Sequence, residues 1–274
     1  MPYSSIDISG LGKIARSILL KIGNKPEPVW AVSYPKSGRT WHRLLVGAYI
    51  CFRYEQDVRD ALEMKTLSKR LGVPLIRYSH NGANFLDPWD GNDARVADAK
   101  IWRNTPVILL VRNVNDTLVS SYFHAHHRDK TFDGSISDFM RNPATGAEKI
   151  LIAMNKWHAN LALTKRHLVQ TYESLHQNPA DRLKDVLDFA GFGDIDDRAV
   201  ARAVEFGAAD NLRKLEKANF FNSERLGSPG TANGAKVRSA RVGDSANHLS
   251  AEDIAYIEAM EKRIGNPFKG FGMF

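Results

Sequence analysis

Cysteine is nearly absent from this sequence, with Cys51 the single one among 274 residues. One cysteine excludes an intrachain disulfide and a cysteine-based metal site, and it gives no support for secretion. There is also no apolar run of 18 or more residues and no early signal peptide with a small-residue cleavage site. We therefore expect a soluble, cytoplasmic protein without a transmembrane helix.

The overall composition is that of a globular protein with an excess of positive charge. A hydrophobic content of 43% in a chain of this length fits one larger domain, residues 1–274. The net charge of +7 attracts acidic partners but does not distinguish nucleic acid, anionic lipid and a phosphorylated cofactor. Aromatic and basic residues do not alternate as they do in RNA-binding proteins, so no nucleic-acid partner is predicted.

One short segment, LGKIARSILLKI at 11–22, is basic and amphipathic. We expect a surface helix packed on the domain, with weak membrane contact as the alternative and no stable membrane insertion.

Four short segments rich in β-branched residues are predicted to be buried strands: 28–34, 74–79, 106–111 and 167–172. Between them lie stretches in which apolar residues recur with helical spacing, as Trp41, Leu44, Leu45, Ala48 and Phe52 do. Strands that alternate with helices of this length favour a parallel sheet with helices on both faces. The prediction is a three-layer α/β fold, in which ligands bind beyond the carboxyl ends of the strands.

The last part of the chain has two recognisable features. Ser250 and Asp253 are spaced as a capping pair for a final helix that runs to about Gly265. The stretch 219–247 is polar and rich in Gly, Ser and Asn, so a mobile surface segment is expected.

The junction YPKSGRTW at 34–41 joins the first predicted strand to the first predicted helix. A tight turn followed by a helix N-terminus favours an anion, because backbone N–H groups and the helix dipole both point at it. Gly38 allows close approach, Ser37, Arg39 and Thr40 offer donors, and Lys36 adds a point charge. The spacing differs from the usual nucleotide-triphosphatase loop, which needs an earlier glycine and then Gly-Lys followed by Ser or Thr.

This octapeptide resembles the 5′-phosphosulfate-binding loop of the sulfotransferases that use 3′-phosphoadenosine 5′-phosphosulfate (PAPS), which carry YPKSGTTW. Only Arg39 differs. The resemblance implies a P-loop-like α/β fold and transfer of a sulfuryl group from PAPS to an acceptor hydroxyl or amine, with adenosine 3′,5′-bisphosphate (PAP) as the product.

Two later segments resemble the 3′-phosphate-binding elements of that family, in family order. RNVNDTLVSSY follows the third predicted strand and resembles R-N-P-x-D-x-x-x-S-x-Y, which carries the family's Arg and Ser over as Arg112 and Ser120. The segment from Lys236 to Asn247 resembles R-K-G-x-x-G-D-W-K-N and retains Arg238, while Ser239 and Ala240 replace the family's Lys and Gly. The methyl group of Ala240 predicts a slightly displaced loop or weaker cofactor binding.

The candidate general base is His80, which leaves the carboxyl end of the second predicted strand and resembles the His of the family's K-T-H motif. Tyr78 stands where the family has Lys, so that contribution is expected to be missing or shifted to Arg77. Lys36 would bridge the phosphosulfate and follow charge onto the leaving oxygen. No Asp/Glu cluster with metal-ligand spacing accompanies these residues, and we predict metal-independent turnover.

For the adenine, the resemblance implies stacking on Trp41, although a core tryptophan at the helix start is an equal alternative. Tyr172 resembles the Tyr of the family's R-Y-E-D segment and is expected at the adenine edge. The family's second stacking aromatic falls near 208–212, where this sequence has none. The base is therefore expected to be held more loosely.

The leading hypothesis is a PAPS-dependent sulfotransferase that acts on a small-molecule acceptor. A nucleotide-dependent phosphotransferase or a non-catalytic nucleotide-binding protein is the alternative. The acceptor class stays open among phenols, sugars, amines and lipid headgroups, and its pocket is expected around 81–89, 124–130 and 219–235. The family's dimerisation motif is not matched around 250–258, so the oligomeric state stays open.

Overall fold

The structure, a computed structural model, describes residues 27–81, 83, 102–227 and 232–271. Its centre is a sheet of four parallel strands in the order β2-β1-β3-β4. The strands are β1 (Val29–Ser33), β2 (Ile76–Ser79), β3 (Pro106–Val111) and β4 (Arg166–Thr171). All four strand predictions are confirmed to within two residues at each end. The amphipathic segment proposed at 11–22 lies outside the described residues.

Ten α-helices are assigned among the described residues and surround this sheet. They are α1 (Arg39–Arg53), α2 (Met64–Leu71), α3 (Val114–Phe123), α4 (Ile136–Arg141), α5 (Ala147–Asn160), α6 (Tyr172–Gln177), α7 (Pro179–Ala190), α8 (Asp197–Phe206), α9 (Ala209–Lys217) and α10 (Ala251–Ile264). Helix α3 continues into a π-helical turn, His124–Arg128, and short 3₁₀ turns occupy Val58–Leu62, Leu161–Leu163, Glu224–Leu226 and Asp244–Asn247. The reciprocal hydrogen bonds of Ser250 and Asp253 at the start of α10 confirm the predicted capping pair.

The two central strands, β1 and β3, are buried on both faces, which explains their nearly continuous apolar sequences, whereas the outer strands β2 and β4 each carry exposed polar residues. Ile108 and Leu110 of β3 point into one core with α1, α7 and α8, and Val107 and Leu109 point into a second core with α3 and α5. Because neighbouring strand residues face opposite sides, a single strand serves both cores. The predicted three-layer α/β arrangement is confirmed.

The strand order positions the site. In the register, Ser33 of β1 pairs with Leu110 of β3, and Val111 pairs with Thr171 of β4. The segments that follow β1, β2, β3 and β4 therefore leave the same edge of the sheet. Open parallel sheets bind ligands at this edge.

Candidate active site

A cavity of about 530 Å³ lies at the carboxyl edge of the sheet. Segments that are distant in sequence line it: the β1–α1 junction, the ends of β2 and β3, the last turn of α3, Tyr172 and the loop 235–240. Twelve of the thirteen residues proposed from the sequence line this cavity: Lys36, Gly38, Arg39, Thr40, Trp41, His80, Arg112, Ser120, Tyr172, Arg238, Ser239 and Ala240. The fold thus brings together residues that sequence reasoning placed in one site.

Ser37 is the proposed site residue that lies elsewhere. Its side chain is buried and lines a small second cavity with Tyr34 and residues of β3. The sequence hypothesis proposed the Ser37 hydroxyl as a hydrogen-bond donor to the phosphosulfate. In this structure Ser37 lies between Lys36 and Gly38 of the junction but borders the small second cavity instead of the larger one.

The β1–α1 junction has the backbone shape of an anion-binding loop. Lys36 and Gly38 both have positive φ, 70° and 86°, and Gly38 is the N-cap of α1 without a side-chain cap. A Cβ atom at Gly38 would lie 2.6 Å from Cδ2 of Tyr172, so a side chain there would displace the ring. The glycine is needed both for its conformation and for the contact with Tyr172.

Arg112 connects the junction to the start of α3. Its guanidinium donates to the carbonyl oxygen of Lys36 at 3.2 Å and lies 4.3 Å from the centroid of the Tyr172 ring. Asp116 is 3.6 Å away on the next helical turn. The buried Arg112 Nε has no hydrogen-bond partner among the described residues. A buried guanidinium with unused donors fits an anionic ligand.

Two buried carboxylates hold the ends of the loop that carries Arg238. Asp116 accepts the backbone N–H groups of Gly243 at 2.8 Å and Ser245 at 2.9 Å. Glu216 accepts those of Lys236 at 2.8 Å and Val237 at 3.0 Å. Each carboxylate is 2% exposed. Both ends of the stretch 236–245, which lies within the predicted mobile segment 219–247, are therefore tied to buried carboxylates at the cavity.

Within this loop, Arg238 contacts Asp244 at 2.6 Å and lies 4.0 Å from the centroid of the Phe123 ring. Ala240 has a φ of 50°, in the left-handed region that favours glycine. The carbonyl oxygen of Ala240 is 3.1 Å from Nε2 of His176, and that of Ser239 accepts from Arg213 at 2.7 Å. Ala240 therefore carries backbone strain at the position where the family has Gly.

His80 is held by β1. Its Nδ1 donates to the carbonyl oxygen of Ser33 at 3.0 Å, which leaves Nε2 as the acceptor nitrogen. Burial and the nearby charge of Arg39 lower the pKa of His80 to about 4, so the ring is neutral at pH 7. An imidazole in this state is able to accept a proton in the cavity.

The cavity concentrates positive charge. Burial and the charges of Lys236, Arg128 and Arg112 lower the pKa of the Lys36 ammonium to about 7. Like charges held this close in a partly buried site are unfavourable by themselves, and an anion among them would relieve the repulsion. The donor set fits a ligand with several phosphate or sulfate groups.

The proposed adenine end of the cavity is only partly aromatic. Trp41 donates its indole N–H to the carbonyl oxygen of Gly207 at 2.9 Å, and its ring centroid is 5.6 Å from that of Tyr172. Across from them, small apolar side chains of Ala208 and Ala209 line the wall. This wall is where the sequence predicted a missing aromatic.

Tyr78 has a packing role in place of the family's Lys. Its hydroxyl lies 2.9 Å from Nδ1 of the buried His42, and the guanidinium of Arg43 lies 4.4 Å from its ring centroid. Arg77, the expected substitute, is exposed and lies over the Trp30 ring, outside the described lining of the cavity. Arg77 therefore does not supply the positive charge that the family's Lys would bring to the cavity.

Sequence reasoning missed several residues of this site. Asp116 is part of the quoted segment RNVNDTLVSSY, so its position was visible but its contact with Gly243 was not. Glu216 has no motif around it. His124, which lies in the stretch 124–130 where the sequence placed part of the acceptor pocket, lines the cavity and pairs with Asp129 at 3.2 Å; the π-helical turn that carries it has no sequence signature.

Comparisons with known proteins agree with this architecture. Mouse sulfotransferase SULT7A1, solved with PAP, matches with a TM-score of 0.58 and 16% identity over 93% of this chain and 90% of that one. A retinol dehydratase solved with retinol and PAP matches with a TM-score of 0.59 and 13% identity over 93% and 86%. These likenesses place the fold among the P-loop-like α/β sulfotransferases.

The sequence comparisons identify the family. A family model described as "Sulfotransferase domain" matches residues 26–266. Cytosolic sulfotransferase 17 of Arabidopsis thaliana is 25% identical over 90% of this chain and 76% of its own length. Flavonol 4'-sulfotransferase of Flaveria chlorifolia is 22% identical over 91% and 81%. The chain belongs to the sulfotransferase domain family, and the prediction of a PAPS-dependent sulfotransferase is confirmed at the level of enzyme class.

Proposed function

We propose that this protein transfers the sulfuryl group of PAPS to a hydroxyl group of a small-molecule acceptor, with His80 as the general base. The observation that carries this proposal is the convergence of Lys36, Arg112, Arg238 and His80, from four separate segments, on one cavity at the carboxyl edge of the sheet. The PAP complexes of similar folds support the choice of cofactor.

The cationic residues divide between the two ends of the cofactor. Arg112, Ser120 and Arg238 would bind the 3′-phosphate, and the junction from Lys36 to Thr40 would bind the 5′-phosphosulfate through backbone N–H groups, the Thr40 hydroxyl and the Lys36 ammonium. The contact of Arg112 with the Lys36 carbonyl at 3.2 Å couples these two subsites. Trp41 and Tyr172 would contact the adenine.

His80 would take the proton of the acceptor hydroxyl at Nε2 while its Nδ1–H stays bonded to Ser33. PAPS supplies an activated sulfuryl group: the acceptor oxygen forms the new S–O bond, and the S–O bond to the phosphate breaks with its electron pair on PAP. Lys36 would hold the leaving phosphate oxygen as its negative charge grows. Positioning and fixed charge then provide most of the catalysis, as in phosphoryl transfer.

Lys and Arg side chains at both ends of the cofactor would neutralise its negative charge, which is the role that Mg²⁺ has in phosphotransferases. We therefore expect turnover to continue in EDTA. A strict Mg²⁺ requirement would contradict this expectation and favour the phosphotransferase alternative.

Two relatives are named as cytosolic sulfotransferases and others as flavonol sulfotransferases. These names support a cytoplasmic location and a small-molecule acceptor. In the part of the chain that the structure describes, no helix is both long and apolar enough to cross a membrane.

The first experiment is calorimetry with PAP, AMP and ATP·Mg²⁺. If Arg112 and Arg238 enclose the 3′-phosphate, AMP binds about 100-fold more weakly than PAP, because two buried guanidinium groups lose a charge-assisted partner. Arg112→Ala should weaken PAP binding by a similar factor.

The matched control is Arg77→Ala, which removes an exposed arginine outside the described lining of the cavity and should leave PAP affinity unchanged. Equal binding of all three nucleotides, or preference for ATP·Mg²⁺, would contradict the sulfotransferase proposal.

A further inference from the structure

His248 contacts Arg238, one of the two arginines proposed to bind the 3′-phosphate, but is not itself among the described residues that line the cavity. Its Nε2 lies 3.2 Å from Nη1 of Arg238. The Nη2 of Arg238 donates to Oδ2 of Asp244 at 2.6 Å, and the guanidinium lies 4.0 Å from the centroid of the Phe123 ring. These contacts involve both terminal nitrogens and one face of the guanidinium, so together they fix its plane.

Arg112, the other arginine, has contacts of the same three kinds. A carboxylate lies near it, that of Asp116 at 3.6 Å. It donates to a neutral acceptor, the carbonyl oxygen of Lys36 at 3.2 Å, and it lies 4.3 Å from the centroid of an aromatic ring, that of Tyr172. A second carboxylate in place of the neutral acceptor would repel a phosphate, whereas a neutral acceptor holds the guanidinium and leaves its charge for a ligand.

The contact with Arg238 defines the state of the imidazole. An arginine side chain only donates, so Nε2 of His248 must be unprotonated and the ring proton must be on Nδ1. The same Nε2 lies 3.3 Å from Oδ2 of Asp244, to which only a protonated Nε2 could donate. Because acceptance by Nε2 gives both terminal nitrogens of Arg238 a partner, which donation to Asp244 would not, the structure favours a neutral ring that accepts.

The position of His248 is fixed by its own surroundings. It follows the 3₁₀ turn Asp244–Asn247, and its backbone N–H donates to the carbonyl oxygen of Ser245 at 3.0 Å. The backbone N–H of Ser245 is bound in turn by the buried Asp116 at 2.9 Å. The His248 ring also packs edge-on against Phe123, with centroids 4.9 Å apart. His248 is therefore a fixed point from which Arg238 can be oriented.

We propose that His248, as a neutral hydrogen-bond acceptor, is a positioning residue that orients Arg238 toward the 3′-phosphate and so strengthens the preference for nucleotides that carry this group. This role rests on the proposed use of PAPS, and His248 acts through Arg238 without touching the ligand. In the part of the chain that the structure describes, hydrogen bonds use two of the five N–H donors of Arg238, and the other three can bind the phosphate.

The test measures the binding of PAP and AMP, which differ only in the 3′-phosphate, by calorimetry at a pH where an ordinary histidine is neutral. Two variants separate hydrogen bonding from packing. His248→Phe keeps an aromatic ring against Phe123 but has no acceptor, so PAP affinity should fall about tenfold while AMP affinity changes by less than about twofold. His248→Gln offers a neutral side-chain oxygen with a reach similar to that of Nε2, so its PAP affinity should stay within about threefold of the wild-type value.

His158→Phe is the matched control. His158 also packs its ring edge-on against a phenylalanine, Phe268, with centroids 5.6 Å apart, and it is not among the described residues that line the cavity. The same substitution there should leave the affinities for PAP and AMP at their wild-type values.

A second measurement needs no ligand. Nitrogen-15 NMR of histidine-labelled protein should show His248, identified by the loss of its signals in His248→Gln, with a proton on Nδ1 and none on Nε2. A protonated Nε2, or full PAP affinity in His248→Phe, would overturn the proposed role.

Two further outcomes of the binding measurements would also overturn it. Equal losses of PAP and AMP affinity in His248→Phe would show an effect that is not specific to the 3′-phosphate. A loss of PAP affinity in His248→Gln as large as that in His248→Phe would show that the acceptor is not the property that matters. Failure of the wild-type protein to prefer PAP over AMP would instead overturn the proposed function itself.

Discussion

The carboxylate of Asp116 accepts the backbone N–H of Gly243 at 2.8 Å, which ties helix α3 to the loop that carries Arg238. The other oxygen of Asp116 accepts from Ser245 at 2.9 Å. Because Arg112 precedes Asp116 by one helical turn, this carboxylate sets the distance between two arginines that are proposed to bind the same phosphate. Asp116 is thus a positioning residue.

The first prediction concerns Asp116→Asn. The two carboxylate oxygens of Asp116 each accept one backbone N–H, whereas an asparagine amide has only one oxygen. Its NH₂ group would face the other backbone N–H, and that buried donor would lose its acceptor at a cost of about 1–3 kcal/mol. We expect a lower free energy of unfolding by this amount and PAP binding that is weaker by about tenfold or more. Denaturant unfolding and calorimetry measure the two effects.

Asp194→Asn is the control for the Asp116 variant, because Asp194 is exposed on the surface and, within the described part of the chain, its one ion pair is with Arg53 at 3.3 Å. It should change neither the unfolding free energy nor PAP affinity by a measurable amount. If Asp116→Asn kept full PAP affinity, the loop would not depend on this carboxylate.

The central strands β1 and β3 could be predicted from sequence because they are short apolar runs buried on both faces, and β2 and β4 because a short apolar segment stands in each. The sequence also predicted that Lys36 and Arg112 lie in one site, because the carboxyl ends of parallel strands lie at the same edge of the sheet. Contacts between segments distant in sequence did not follow. Glu216 is 20 residues before Lys236, whose backbone N–H it accepts, and no periodicity or motif encodes such a pairing.

Side-chain orientation was the other limit of the sequence analysis. Ser37 belongs to the predicted junction, yet it is buried and borders the small second cavity instead of the larger one. The positive φ values of Lys36 and Gly38 on either side of it could not be read from the sequence. Polar composition predicted a mobile surface for 219–247, but it could not reveal that two buried carboxylates accept backbone N–H groups at both ends of 236–245.

The second prediction is a loss of PAP affinity at alkaline pH. The pKa of Lys36 is lowered to about 7 without ligand, and a bound phosphate raises it because the charged form gains a partner. Binding is therefore strongest below pH 7, where Lys36 is already protonated, and weakens by up to about tenfold per pH unit above it, until the bound pKa is reached.

Calorimetry from pH 7.5 to 9, in buffers of different ionisation enthalpy, counts the proton taken up on PAP binding. Lys36→Arg is the matched variant, because its guanidinium stays charged throughout this range. Its PAP affinity should vary little with pH. A wild-type affinity that is constant to pH 9 would show that Lys36 is not discharged in the free protein.

The third prediction tests whether His80 acts as a general base or has only a structural role. His80→Asn keeps an N–H donor near the Ser33 carbonyl but removes the basic nitrogen, so kcat should fall by about 10²–10⁴-fold. PAP affinity should be unchanged, because the proposed phosphate contacts do not include His80. Rapid-quench turnover and calorimetry are the two readouts.

His126→Asn is the control for this variant. His126 also contacts a backbone carbonyl through Nδ1, that of Phe132 at 3.1 Å, but it is not among the described residues that line the cavity. Its kcat should stay near the wild-type value. Comparable losses in both variants would mean that His80 acts only through packing.

The fourth prediction is that Ala240→Gly raises the free energy of unfolding and tightens PAP binding. At a φ of 50° the alanine methyl group opposes the backbone conformation, at a cost of about 1–2 kcal/mol. Glycine removes this cost but loses about 0.5–1 kcal/mol through the greater entropy of its unfolded chain. The net expectation is a free energy of unfolding that is higher by up to about 1 kcal/mol, with tighter PAP binding because the loop lines the cofactor cavity.

Ala235→Gly provides a control of opposite sign. Ala235 lines the same cavity in the same loop but has no positive φ, so glycine there brings only the entropic loss of about 0.5–1 kcal/mol. Denaturant unfolding of the two variants should therefore move in opposite directions. If both lost stability, the left-handed backbone at Ala240 would carry no strain that glycine can relieve, and the departure from the family's glycine would be neutral for this loop.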